Sequence, residues 1–186
     1  MKVSDYIWNY LYKVTKTKHV FLLSGGGMMH LLDSVGKSKF KIVPMHHEQA
    51  ASIAANAYGR AKNSIGVCLV TSGPGATNAI TGVTAAFMDS IPMVVISGQV
   101  STLFSKKRMK IRQLGFQEFD IISSIKSTTK YAVNLNNKDK VQYEIEKACF
   151  LAKHGRPGPV WIDVPLDIQN SQINVKKNKS FFYKNN

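Results

Sequence analysis

The sequence predicts a doubly wound α/β domain, a mostly parallel sheet with helices on both faces. Three observations carry that prediction. Short apolar runs alternate with helical patterns along the chain. The runs lack the two-residue alternation of half-exposed strands, which points to strands covered on both faces. Turn signals rich in Gly or polar residues separate one kind of segment from the other. No internal repeat competes with this reading.

The elements follow in order. Ser4 is placed to cap a helix carrying Ile7, Trp8, Leu11 and Val14 on one face. Residues 19–23 read as a buried strand and Ser24-Gly25-Gly26-Gly27 as a turn. Residues 28–35 then read as a short helix ended by Gly36. A second strand is expected over 40–43, and an alanine-rich helix over Glu48–Ala61. Its small residues, Ala50, Ala51, Ala54, Ala55 and Ala57, permit close approach of another helix. A third strand over 65–70, a helix over 77–87 and a fourth strand over 93–96 come next. Residues 101–115 are basic and irregular. A long helix over 139–154, stopped by Gly155, precedes a last strand over 160–164. The expected domain is 1–168, with 169–186 a polar tail or linker towards a central domain outside this sequence.

Composition sets outer bounds. The 186 residues suffice for one domain with a real core, at 44% apolar and 19% charged. No apolar run reaches the length of a membrane span, so no membrane partner is expected. The first residues lack a signal peptide's apolar core, and a cytoplasmic location is the default. Cys68 lies in a strand and Cys149 in a helical pattern, and both read as small buried hydrophobes rather than a disulfide or metal pair. The net charge of +14 raises a basic nucleic-acid-binding module as an alternative. Against it, the lysines are scattered and no helix-turn-helix, zinc-finger or aromatic RNA-binding pattern accompanies them. The densest cluster, Lys106-Lys107-Arg108 with Lys110 and Arg112, falls in the irregular stretch. Nucleic acid is therefore not expected as a partner. Acidic partner segments outside this sequence would account for the charge equally well.

Two segments carry chemistry. His46-His47-Glu48-Gln49 puts a carboxylate at a strand-to-helix corner, and Thr71-Ser72-Gly73-Pro74-Gly75-Ala76-Thr77-Asn78 puts a glycine-rich turn at the next. That pairing suits a ligand crevice at the carboxyl ends of parallel strands. Taken singly each has a bland explanation. Glu48 sits where a helix-start carboxylate is favoured, and Gly73-Pro74-Gly75 is also a tight connector. His46, His47 and Glu48, adjacent on an extended corner, cannot all point at one metal ion. The glycine turn is not a Walker loop, since no Gly-Lys-Ser/Thr follows. Gly25-Gly26-Gly27 lacks dinucleotide-fingerprint spacing.

Taken together, these segments and a long collinear series resemble the N-terminal, pyrimidine-binding domain of the thiamine-diphosphate-dependent acetolactate synthase family. The series includes His19-Val20-Phe21, Ser24-Gly25-Gly26, His47-Glu48-Gln49, Tyr58-Gly59-Arg60-Ala61, the stretch 70–78, Met88-Asp89-Ser90-Ile91-Pro92, Ser97-Gly98-Gln99-Val100, Phe116-Gln117-Glu118, Gly155-Arg156-Pro157-Gly158-Pro159 and Asp163-Val164-Pro165. It spans about residues 4–168. The resemblance implies that Glu48 is the catalytic carboxylate, hydrogen-bonded to N1′ of the cofactor's aminopyrimidine. In the family this favours the imino tautomer, whose N4′ removes the thiazolium C2 proton. A 2-keto acid, usually pyruvate, is then attacked and decarboxylated, and the product adds to a second carbonyl. Pro74 and Asn78 match positions lining the pyrimidine pocket, and Gly25 and Gly26 a loop closing over it. Gln117 and Phe116 match positions near the reacting carbons, Gln117 as a catalytic residue and Phe116 on the substrate side. Lys130 falls where many relatives carry a lysine at the substrate entrance.

The departures are informative. Ser24, Gly27 and His30 stand where relatives commonly have proline, alanine and proline, so the acceptor substrate can differ from the usual 2-keto acid. The family's Gly-Asp-Gly motif, which holds magnesium and the diphosphate, does not occur, and neither does its central domain, which carries FAD in true acetolactate synthases. The resemblance thus implies a pyrimidine-binding half-site that itself holds no metal, in a fragment or a split subunit. A two-subunit 2-keto acid decarboxylase is the alternative enzyme. The implied partner is a diphosphate-binding domain of the same or another chain, in a homodimer or tetramer.

Overall fold

The computed structural model describes residues 1–106 and 109–183. Lys107 and Arg108, the middle of the basic cluster, lie outside the described residues. The elements run α1 (Val3–Val14), β1 (His19–Leu22), α2 (Met29–Lys37), β2 (Lys41–Pro44), α3 (Glu48–Ala61), β3 (Gly66–Val70), α4 (Pro74–Asn78) and α5 (Ile80–Met88). There follow β4 (Met93–Gln99), α6 (Ile121–Ile125), β5 (Tyr131–Asn134), α7 (Val141–Lys153), β6 (Pro159–Pro165) and α8 (Leu166–Asn170). Among the described residues six strands form one sheet in the order β2-β1-β3-β4-β6-β5, with its pairings parallel. Among the described residues no helix is long and apolar enough to cross a membrane.

Side-chain alternation along the buried strands feeds two separate cores. Val67 and Leu69, Val94 and Ile96, and Val160 and Ile162 meet α1, α2 and α7 on one face, where Ile7, Trp8, Leu31 and Ile145 are fully buried. Cys68 and Val70, Met93 and Val95, and Trp161 meet α3, α5 and α6 on the other. Burial on both faces explains why the runs show no polar alternation. Each fully buried Leu or Ile contributes roughly 1.5–3 kcal/mol relative to exposure.

This layering positions the site. The chain leaving β1 turns to the first face, into α2. The chain leaving β3 turns to the second, into α4 and α5. β1 and β3 are neighbours, so their carboxyl ends form the point where the winding reverses and a crevice opens.

Several local expectations give way to tertiary contacts. Ser4 does not cap α1; Lys2 holds that position, and Ser4 is buried within the helix with its hydroxyl accepting from Ser34. Gly36 lies inside α2, which ends at Lys37. The helix expected over 77–87 starts at Pro74 and breaks at Ala79 into α4 and α5. Packing does not stop at 168, where the tail was expected to begin. Gln169 is fully buried, donating to the Gly27 and Val164 carbonyls. Ile173 is buried and Val3 N donates to Ser171 O. Farther on, Ser180 Oγ and Phe181 N donate to Glu146 of α7. Short apolar anchors among the lysines hold this stretch against α1 and α7.

Candidate active site

Glu48 is the first residue of α3, and His47 caps the helix by accepting from Gln49 N at 3.1 Å. Glu48 is 7% exposed. Its Oε2 accepts from Asn78 Nδ2, the last residue of α4, at 3.0 Å. Oε1 has no hydrogen-bond partner among the described residues. This oxygen is the part of Glu48 left free to take a hydrogen bond from a ligand, where a charged acceptor gains most.

The glycine turn supplies room for one. A Cβ at Gly75 would lie 3.0 Å from Glu48 Oε1 and 2.6 Å from Thr71 Cγ2, so a side chain there would crowd the carboxylate. Gly73 has φ +57°, a conformation glycine adopts without strain. A Cβ on it would meet Gln117 O at 2.5 Å. The turn therefore lies between Glu48 and Gln117, and Gln117 itself has φ +58°. Beside it opens a cleft of about 490 Å³ lined by Gly73, Pro74, Thr77, Gln113, Phe116 and Gln117, with Glu118 and Phe119. Phe116 is 83% exposed at its mouth.

The turn after β1 closes the other side. Gly27 N donates to Thr71 Oγ1 at 3.0 Å, and a Cβ at Gly25 would lie 2.5 Å from the Thr71 side chain. Gly26 is exposed and opens the short 3-10 turn Gly26–Met28. A Cβ at Gly27 would come within 2.7 Å of Ser72 Oγ, so the alanine common at this position requires Ser72 to shift.

Gly25, Gly26, Glu48, Pro74, Asn78, Phe116 and Gln117 thus gather at the carboxyl edge of the sheet. Lys130 does not join them. It immediately precedes β5, its N–H bonds Pro159 O at the start of β6, and its ammonium is held by the Leu151 and His154 carbonyls. That is the amino edge of the sheet, a strand's length away, or about 15–20 Å at ~3.3 Å per residue.

Sequence reasoning missed a buried polar cluster next to the cleft. Asp163 of β6 is 2% exposed. It accepts from Ser97 Oγ at 2.6 Å, Gln99 Nε2 at 3.0 Å and Asn134 Nδ2 at 2.8 Å. Burial pushes its carboxyl up to about 6, and the three donors only partly offset that. The collinear match covered Asp163, but its partners come from register across three strands and carry no local signal.

The arrangement defines a class: an α/β domain that presents one buried, half-satisfied carboxylate over a glycine turn at the winding reversal of a parallel sheet. Residues 1–124 match the family described as thiamine pyrophosphate enzyme, N-terminal TPP binding domain, and the chain belongs to that family. Among curated proteins it is 40% identical, over 90% of its length, to the acetolactate synthase large subunit of Buchnera aphidicola subsp. Acyrthosiphon pisum. It is 42% identical over 82% of its length to the acetolactate synthase isozyme 3 large subunit of Escherichia coli K12. A probable acetolactate synthase large subunit of Methanocaldococcus jannaschii is 37% identical over 86% of the chain. The chain spans about 27% of the length of such relatives, 26% in the last two.

Proposed function

We propose that this chain supplies the aminopyrimidine-facing half of a thiamine-diphosphate site, in an enzyme of acetolactate synthase type acting on a 2-keto acid such as pyruvate, with Glu48 as its catalytic carboxylate. The observation that carries the proposal is the state of Glu48: buried, anchored through one oxygen by Asn78, and open at the other towards Gly75, which carries no side chain. The residues fit the group. A flat ring can approach over Gly73–Gly75, and a ring nitrogen can pair with Oε1. When bound, the cofactor supplies an acidic C2–H and an electron sink for decarboxylation. Glu48 holds and exchanges a proton at Oε1, Asn78 keeps the carboxylate from rotating away, and the Gly25–Gly27 turn limits water above it. Magnesium and the diphosphate belong, in this proposal, to a diphosphate-binding domain of the same or another chain, which would dock on the outer face of α3 and α5. FAD, if present, belongs to a further domain.

The test uses an assembled enzyme carrying Glu48→Gln. Exchange of the cofactor's C2 proton should slow by at least 100-fold, the scale of one general acid–base contribution. Exchange at the unsubstituted rate would remove Glu48 from the chemistry.

A further inference from the structure

Gln99, the last residue of β4, makes three hydrogen bonds that lead in three directions. Its Oε1 accepts from Val100 N at 3.0 Å. Its Nε2 donates inward to Asp163 Oδ2 at 3.0 Å and outward to the Phe119 carbonyl at 2.9 Å. Asp163 is itself fixed from neighbouring strands. Ser97 of β4 and Asn134 of β5 stand opposite it in register, and both donate to it. The Trp161 indole donates in turn to Ser97 Oγ at 2.7 Å. Gln99 is therefore the side chain through which a rigid network spanning three strands reaches the loop beyond the sheet.

That loop carries Phe116 and Gln117. Glu118 ties it to residues 105–114, accepting from Ser105 Oγ, Lys106 N and Leu114 N at 2.7–3.0 Å, but this ties loop to loop and not loop to sheet. Packing holds the two ends of the loop, Gly115 against Val100 and Ile121 in the core, but not the stretch between them. Cavities of about 330 and 320 Å³ adjoin the Gln99 link, and Gln99 and Asn134 line both. Gln117 meanwhile holds a left-handed conformation, with its carbonyl against Gly73. Such a conformation persists in a non-glycine residue only where the surroundings enforce it.

We propose that Gln99 and Asp163 are positioning residues: the buried carboxylate orients the Gln99 amide, which holds the Phe119 carbonyl and so seats the Phe116–Gln117 loop against the Gly73–Pro74 turn. The importance of that seating for chemistry rests on the thiamine reading of the site; the latch itself does not. Between the packed ends at Gly115 and Ile121, the Gln99 hydrogen bond fixes the Phe119 carbonyl, so the latch is a matter of donors and acceptors.

Hydrogen exchange read by mass spectrometry on the full 186-residue chain, without cofactor, tests this. Gln99→Met keeps length and removes both donor and acceptor. Exchange of the peptide covering 115–121 should rise at least tenfold, while the peptides of β3 and β4 stay at the parent rate. Asp163→Ala should loosen the same peptide. Asp163→Asn should restore it, because its Oδ1 accepts from Gln99 and Asn134 while its Nδ2 donates to Ser97. A loop equally protected in a folded Gln99→Met chain would overturn the proposal, as would Asp163→Asn as loose as Asp163→Ala. Should Asp163→Ala fail to fold, Gln99→Met with Gln99→Ala decides alone. The Glu48→Gln exchange test is independent, so either idea can fail without the other.

Discussion

Asp163 has a consequence that can be measured without any ligand. Burial raises its carboxyl from the ordinary 3.8 to about 6; Ser97, Gln99 and Asn134 pull it back down, and the nearby Asp120 adds a smaller push upward. A carboxyl raised on folding is protonated more readily in the folded than in the unfolded chain. Its contribution is therefore fully present below 3.8 and is lost as pH rises through about 6. Relative to Asp163→Asn, which is neutral throughout, the parent chain should gain roughly 2 kcal/mol of stability between pH 7 and pH 4.5. The comparison cancels the other carboxylates. Urea midpoints at the two pH values read the difference, and parallel curves for parent and variant would show that the site titrates normally. Lys130 makes the opposite point. Its pKa is lowered by burial, but its two carbonyl acceptors are local anchors at the amino edge of the sheet.

At the scale of elements, the outer face of α3 is the informative one. Asn56 is 8% exposed, its Oδ1 has no partner among the described residues, and it lines a cavity of about 300 Å³ with Ile53, Ala57, Arg60 and Ala61. Ile53 is 46% exposed beside it, and Phe87 and Met88 at the end of α5 are 39% and 70% exposed. An unsatisfied buried amide costs about 1–3 kcal/mol. Asn56→Leu should therefore raise the melting temperature of the chain alone and weaken its association with a diphosphate-binding partner domain, since the partner loses its acceptor. Calorimetric melting and a binding titration read the two effects, and a lower melting temperature or an unchanged affinity would count against the face. Legibility follows the same division between local and distant signals. α3 begins and ends as its pattern predicts because cap, alanine run and corner are all local. The Glu48 corner and the Gly73–Gly75 turn are legible for that reason. β5 is a four-residue edge strand, half-buried throughout, and α6 has only five residues; neither is long enough to show a period. With β5 unread, nothing in the sequence tells which edge of the sheet holds Lys130. The Asp163 cluster needs the β4, β5 and β6 register, which no local pattern encodes.

For the whole molecule, charge and ligand chemistry can be weighed against each other. The chain carries +14, so a diphosphate is attracted to it from any direction. At physiological salt such attraction between exposed charges is screened beyond about 8 Å, and it does not build a site. What the chain offers a thiamine ring specifically is one open carboxylate oxygen at Glu48 and apolar surface around Gly73 and Pro74. A hydrogen bond to a charged group contributes roughly 1.5–3 kcal/mol, and ordering ligand and loop takes part of that back. A dissociation constant of 10 μM requires about −7 kcal/mol, well beyond this set. The Gly-Asp-Gly ligand motif for magnesium and diphosphate does not occur in the sequence. Titration calorimetry of the 186-residue chain with thiamine diphosphate, at physiological salt and with or without magnesium, should give binding weaker than about 10 μM, unchanged by the metal. Adding a diphosphate-binding partner domain should restore tight, magnesium-dependent binding, and Glu48→Gln should weaken it by about tenfold, or 1.4 kcal/mol. Tight, magnesium-dependent binding by the chain alone would mean that it builds both halves of the site, and the division of labour between two domains would fall.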